Sequence, residues 1–213
     1  MESACVFHPK HAYNVRTNGR IERFYVCCNN EAGSVGCQSM EVHVTNGHQF
    51  IETRTGFCRT QSRPDETPKA YALDCEMCFT ELAFEICRIT IIDFDGEVIY
   101  DKLVKPAAKI IDYVTKYSGI KETDLIGVTN TLKDVQQDII ELISAETFII
   151  GHGLDSDFRA LKLLHNRIID TAFLYPHNRG LPFKKSLKTL AVNHLNRIIQ
   201  EDGKCFSCLF LID

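Results

Sequence analysis

From Ala70 onward, short apolar runs alternate with polar punctuation, and the period of the apolar positions changes along the chain. Ala70 to Cys75, Ile86 to Phe94 and Val98 to Val104 are runs of apolar and β-branched residues of strand length, and Asp95-Gly96 between the last two carries hairpin-turn chemistry. Three antiparallel strands are expected there. Asp134 to Ser144 then sets Val135, Ile139, Leu142 and Ile143 at helical spacing, and Thr147 to Ile150 is a buried-strand run ending at Gly151. Ser156 to His165 predicts a second helix, with Phe158, Leu161, Lys162 and His165 one turn apart. Ile168 to Asp170 predicts a short strand. Ser186 is the expected cap of a last helix carrying Leu187, Leu190, Ala191, His194 and Leu195. A three-strand meander followed by alternating helix and strand implies an α/β fold, a mixed sheet flanked by helices.

Ahead of this pattern the composition changes. Residues 1–50 are rich in Cys, His, Asn and Gly, and residues 51–69, with Arg54, Arg59, Arg63, Pro64 and Pro68, read as a linker. The expected organisation is a small Cys/His module, a linker, a main domain over 70–200 and a divergent tail over 201–213. A length of 213 residues suits one domain of ordinary size with a small accessory module. Hydrophobic residues at 45% and charged residues at 24% argue against wholesale disorder. No run reaches the roughly 18 apolar residues of a membrane helix, and Met1 to Asn30 lacks the succession of a secretory signal, so no membrane association is expected.

The net charge of -4 neither attracts phosphates nor forbids them, so the distribution of charge matters more. Thr171 to Gln200 contains no acidic residue but holds Arg179, Lys184, Lys185, Lys188 and Arg197. Lys184, Lys185 and Lys188 are therefore candidate nucleic-acid contacts, the plain alternative being a solvated helix face.

Two acidic constellations carry candidate chemistry. Asp74-Cys75-Glu76 closes the first apolar run, and residues two apart in a strand project to one face. Paired like charges call for a cation between them, and hard cations such as Mg²⁺ or Mn²⁺ take oxygen ligands. The second is Gly151-His152-Gly153-Leu154-Asp155-Ser156-Asp157, where the glycines permit a tight turn from strand to helix and Asp157 falls in the first helical turn. Helix capping is the plain reading for an acid there, more so for Asp155 than for Asp157. Three carboxylates brought from two strand ends have the donors for two cations about 3.5 to 4 Å apart, the arrangement of phosphodiester hydrolysis.

Beyond these residues, Tyr71-Ala72-Leu73-Asp74-Cys75-Glu76-Met77, Val104-Lys105-Pro106, Tyr117-Ser118-Gly119-Ile120, Thr131 to Gln136, Ile150 to Asp157 and Ile169-Asp170-Thr171-Ala172 follow one another in order. Together they resemble the RNA exonuclease 1 family, of the DEDD exonucleases, from about Tyr71 to Gln200. The resemblance implies a ribonuclease H-like fold, a nuclear location, a role in RNA processing and removal of 3′-terminal nucleotides from RNA with two magnesium ions. It places metal ligation on Asp74, Glu76 and Asp157, sets Met77 where the terminal base and sugar would pack, and leaves His152 structural. The family's third motif, Gly-His-x-Ser-x-Glu-Asp-Ala, is expected shortly after Gln200 and is not found in Glu201 to Asp213. The chain is thus expected to be incomplete at its C-terminal end and weakly active or inactive as written. Alongside the exonuclease stands a second reading, a non-catalytic or truncated RNA-binding relative.

The first residues carry a separate signal. Of the chain's ten cysteines, Cys5, Cys27, Cys28 and Cys37 gather near the N-terminus with His8 and His43, in a chain without a recognisable signal peptide. Zinc takes four such ligands in a tetrahedron, and a segment this short has little core without one. The favoured pool is Cys5, His8, Cys28, Cys37 and His43, one of Cys27 and Cys28 being expected to face inward. Cys205-Phe206-Ser207-Cys208, with no second pair nearby, is read as incidental.

Overall fold

A computed structural model describes residues 5–8, 12–17, 19–40, 56–180 and 182–199. Two compact units, Met1–Val44 and Thr45–Asp213, divide the chain.

In the first unit, β1 (Cys5–Phe7) pairs antiparallel with β4 (Gln38–Met40), and β2 (Ala12–Thr17) forms a hairpin with β3 (Arg20–Tyr25). Among its described residues none has a fully buried side chain.

The second unit is built on a mixed sheet of β6 (Ala70–Thr80), β7 (Phe84–Ile92), β8 (Val98–Leu103), β10 (Phe148–Gly151) and β12 (Ile168–Asp170), in the order β12-β10-β6-β7-β8. Strands β12, β10 and β6 run parallel, whereas β7 and β8 are antiparallel to their neighbours, and β9 (Ile110–Asp112) pairs with the far end of β6. The α/β mixed sheet expected from the pattern is the architecture observed. Strand alternation sets one face of β6 inward: Tyr71, Leu73 and Cys75 enter the main core with Ile89 and Ile91 of β7. After the short helix α1 (Thr115–Ser118), Val135, Ile139 and Ile143 from helix α2 (Leu132–Leu142) and its end, and Leu154 and Leu161 around α3 (Leu154–Ala160), lie against that face. Eight of these, Leu73, Ile89, Ile91, Val135, Ile139, Ile143, Leu154 and Leu161, are at most 1% exposed, so each contributes roughly 1.5–3 kcal/mol by burial.

Several elements differ from expectation. The first strand does not stop at Cys75 but continues to Thr80, through a register shift at Glu76/Met77, and turns into β7 by way of Thr80, whose N–H and hydroxyl both donate to the Ala83 carbonyl at 2.9 Å. Helix α2 begins two residues earlier than its apolar spacing suggests because Thr131 and Asp134 form a capping box. The helix expected to reach His165 ends at Ala160, since Lys162 takes a left-handed φ of 48° and the chain re-enters as strand β11 (Leu163–Leu164). That strand pairs with β5 (Cys58–Arg59), which lies inside the stretch 51–69 read as a linker. From Gly56 this stretch is bound into the fold. Thr60 meets His165 Nδ1 at 2.9 Å, and Arg63 donates to the Ile140 and Glu141 carbonyls at the end of α2 while its N–H donates to Glu146 at 2.8 Å.

Candidate active site and cysteine-histidine cluster

The acidic residues meet where a parallel strand gives out. β10 runs beside β6 with Ile150 opposite Ala72 and ends at Gly151, so the next ladder donor of β6 on that side has no strand to bond. Asp157 replaces the strand: its Oδ1 accepts the Cys75 N–H at 2.9 Å. The bond falls between Asp74 and Glu76, which project from the opposite face of β6 to Cys75. Thus the two acids lie within the strand rather than at its end, and the third comes from the first turn of α3. The expectation of carboxylates from two strand ends is corrected accordingly.

What holds Asp157 there is the tight turn. A Cβ on Gly151 would stand 2.5 Å from Leu154 Cδ2 and 2.9 Å from the Leu73 carbonyl, so only glycine lets the turn close against β6. Gly153 follows with φ of 73°, and Asp170 fixes the turn from β12 by accepting the N–H groups of Gly153 and Leu154 at 2.8 and 3.0 Å.

Asp157 is 4% exposed, and burial first, then the charge of Asp74, pushes its carboxyl up to about 7; burial pushes Asp74 up to about 6. Both groups hold protons more tightly than an exposed carboxylate, Asp74 through burial and Asp157 through burial and then the charge of Asp74. Their spacing is open: among the described residues, Asp74, Glu76 and Asp157 do not form a group whose donor atoms all lie within 4.8 Å of one another.

Other candidates are placed as follows. Asp155 is not a helix cap but an exposed partner of Lys184, whose Nζ donates at 2.8 Å and lies 4.9 Å from the Phe173 ring centroid. His152 lies 2.9 Å, through Nδ1, from the Thr171 hydroxyl, and burial holds its pKa down. Met77 packs on the main core and lines a groove of about 1430 Å³ that also includes Glu76, Tyr117, Lys105, Lys133 and Arg159. Lys184, Lys185 and Lys188 do not line that groove. Sequence reasoning missed Arg88, which stands directly across from Glu76 in the β6–β7 register and is gripped by Asp101 through two bonds of 2.8 and 2.7 Å. An arginine interrupting the apolar run from Ile86 was the available signal.

In the first unit, His8, Cys27, Cys28 and Cys37 offer ligand atoms that all lie within 4.8 Å of one another. The favoured pool contained three of these, but Cys27, expected to be one of a pair with one member inward, joins the cluster beside Cys28. Cys5 belongs to β1 by its backbone, its side chain lying outside the described residues, as does His43. The tail 201–213, with Cys205 and Cys208, also lies outside them.

No protein-family model matches the chain. Over 204 residues, 94% of its length, it is 42% identical to the Homo sapiens protein named RNA exonuclease 1 homolog, of which it spans 16%. Its fold matches the Neurospora crassa Pan2 catalytic unit, comprising protease and nuclease domains, with a TM-score of 0.61 at 23% identity, over 80% of this chain and 30% of that one. The Saccharomyces cerevisiae Pan2 RNA exonuclease module in complex with A7 RNA matches with a TM-score of 0.59 at 25% identity, over 72% of this chain and 30% of that one.

Proposed function

Because the chain belongs to the RNA exonuclease 1 family, we propose that its second unit is the divalent-metal-binding and RNA-binding part of a 3′-to-5′ exonuclease that acts in RNA processing. The observation that carries this reading is the bond from the Cys75 N–H to Asp157, which fixes a buried acid against the strand bearing Asp74 and Glu76. Asp74, Glu76 and Asp157 would hold the ions. The raised proton affinities of Asp74 and Asp157 make these acids a donor set that gains from a cation, and two ions are what the family resemblance implies. Bound there, Mg²⁺ or Mn²⁺ supplies an activated water and stabilisation of the leaving oxygen.

The chain's own residues supply position. β6 presents Asp74 and Glu76 on one face, and the Gly151 turn delivers Asp157. The groove beside Glu76 has Met77 on its lining, a site for a terminal nucleoside, and Lys105, Lys133 and Arg159 to receive phosphates. Lys184, Lys185 and Lys188 contribute, on this reading, less than their sequence clustering suggests. His152, turned to Thr171, is left out of proton transfer.

The reading is tested by thermal unfolding with and without Mn²⁺ and by RNA carrying a label at one end. Mn²⁺ raises the melting temperature of the chain, and Asp74→Asn abolishes the rise. Any degradation proceeds from the 3′ end and depends on Asp74. Metal stabilisation with RNA binding but no degradation favours the second reading, a non-catalytic RNA-binding relative. A melting temperature indifferent to metal in both proteins overturns the site. No helix among the described residues is long and apolar enough to cross a membrane. The nuclear location implied by the family is tested by imaging the tagged chain.

A further inference from the structure

Beyond the acidic site, the first unit carries a centre of its own. β1 pairs with β4 so that Phe7 stands opposite Gln38, which makes the adjoining residues His8 and Cys37 neighbours. The turn after β3 brings in Cys27 and Cys28: the Cys28 and Asn29 N–H groups both donate to the Tyr25 carbonyl, at 3.4 and 2.8 Å, and Asn29 takes a left-handed φ of 58°. Four ligand atoms converge from three separate parts of the chain. His8 Nδ1 lies 3.6 Å from Cys27 Sγ and 3.5 Å from Cys28 Sγ, Cys27 Sγ lies 3.9 Å from Cys28 Sγ, and Cys37 Sγ lies 3.6 Å from Cys27 Sγ.

Those separations have a metric meaning. Zinc bonds of about 2.3 Å to sulfur and about 2.0–2.1 Å to nitrogen, set at tetrahedral angles, leave sulfurs about 3.8 Å apart and sulfur about 3.5–3.6 Å from nitrogen. The four measured distances match four edges of that tetrahedron, and the other two separations, His8 to Cys37 and Cys28 to Cys37, lie within 4.8 Å. They are far longer than the about 2.0 Å of a disulfide, and thiols are weak donors that gain little by crowding together. The histidine is also set for ligation: Nε2 lies 3.1 Å from the Ser34 carbonyl, which as acceptor leaves Nδ1 the lone pair, and the ring stacks on Tyr25 at 3.6 Å and 7°. The need is visible too. Among the described residues of this unit no side chain is fully buried, and chains this small usually require a metal or disulfides to fold.

We propose that His8 Nδ1 and the Cys27, Cys28 and Cys37 thiolates hold one structural zinc ion. Binding releases the three thiol protons to solvent, with no change of oxidation state. Four protein ligands leave no open position for a substrate, so the centre is structural and independent of the exonuclease reading. With four ligands filling the tetrahedron, the proposal assigns no ligand role to Cys5 or His43.

The test uses the full chain, purified reduced, with zinc counted by elemental analysis and the ligand set read from the visible spectrum after exchange into cobalt. One zinc per chain is expected, and the cobalt form should show the thiolate charge-transfer band of a three-cysteine, one-nitrogen tetrahedral site. Cys27→Ser and Cys37→Ser should each lose the metal, whereas Cys5→Ser and His43→Asn keep it. His8→Cys should keep the metal and move the cobalt bands, an outcome that a folding defect does not produce. Retention by Cys27→Ser with loss in Cys5→Ser or His43→Asn overturns the ligand set. Absence of metal from the wild-type chain, or a disulfide between Cys27 and Cys37 found by mass spectrometry of the reduced preparation, overturns the centre.

Discussion

Asp157 is where burial, charge and backbone geometry act on a single side chain. Its carboxyl, 4% exposed and facing the charge of Asp74, holds its proton up to about 7, against 3.8 for an ordinary aspartate. The sign follows from proton counts: between the unfolded and folded values the native state binds more protons than the unfolded chain, so this group's contribution to stability falls as pH rises. Asp74, raised to about 6, acts in the same direction over a narrower window. The metal-free chain should therefore lose on the order of a few kcal/mol between about pH 4 and pH 7 from these groups. A divalent cation favours the ionised forms, so the melting-temperature rise given by Mn²⁺ should grow across the same interval. Asp157→Asn keeps an oxygen for the Cys75 N–H but cannot ionise, so it should flatten the metal-free profile and remove the Mn²⁺ response. A variant with an unaltered pH profile would place the titration elsewhere.

At the scale of elements, the site depends on one β-to-α turn. The Cβ of Gly151→Ala would sit 2.5 Å from Leu154 and 2.9 Å from the Leu73 carbonyl, and the carbonyl is backbone that cannot swing aside. The turn must open, drawing α3 and Asp157 away from β6. Destabilisation of about 1–3 kcal/mol is expected, with a weaker Mn²⁺ response. Gly153→Ala, with no atom within 4 Å of the added carbon, should cost less, through its φ of 73° alone. Equal melting temperatures for the two variants would contradict the close-approach argument.

The same turn shows what was legible in the sequence. Glycines around His152 and acids after them announced a strand-to-helix turn, and the even spacing of Asp74 and Glu76 announced a shared face. Invisible was the extension of β6 to Thr80, because Glu76 and Thr80 break the apolar run where the strand lines the groove. Also invisible were β5 and its pairing with β11, since Cys58-Arg59 has no apolar period and is ordered only by a distant partner. The helix through His165 failed for a similar reason: one-turn spacing was satisfied, but the buried His165 is bonded to Thr60 and to the Thr147 carbonyl. Tertiary contacts overrode the period there.

Over the whole second unit, the proposed function turns on which charges would meet the nucleic acid. The chain's net charge is -4, so any attraction for phosphate must be local. Two local sources compete. Lys184, Lys185 and Lys188 cluster in sequence, but Lys184 is paired with Asp155 and none of the three lines the groove beside Glu76. Lys105, Lys133 and Arg159 are scattered in sequence and gathered by the fold onto that groove, with the 70%-exposed Tyr117 ring among them. A cation-lined groove with an exposed ring suits a single strand, whose bases stack while its phosphates are neutralised. For single strands, each cation that neutralises a phosphate adds about 0.7 to the slope of log affinity against log salt. Joint replacement of Lys105, Lys133 and Arg159 by Ala should reduce that slope by about 2 for an unstructured RNA, measured by anisotropy with Asp74→Asn to prevent turnover. The triple variant at Lys184, Lys185 and Lys188 should leave the slope nearly unchanged. The reverse pattern would move the RNA path onto the basic segment and leave the groove to the terminal nucleoside alone.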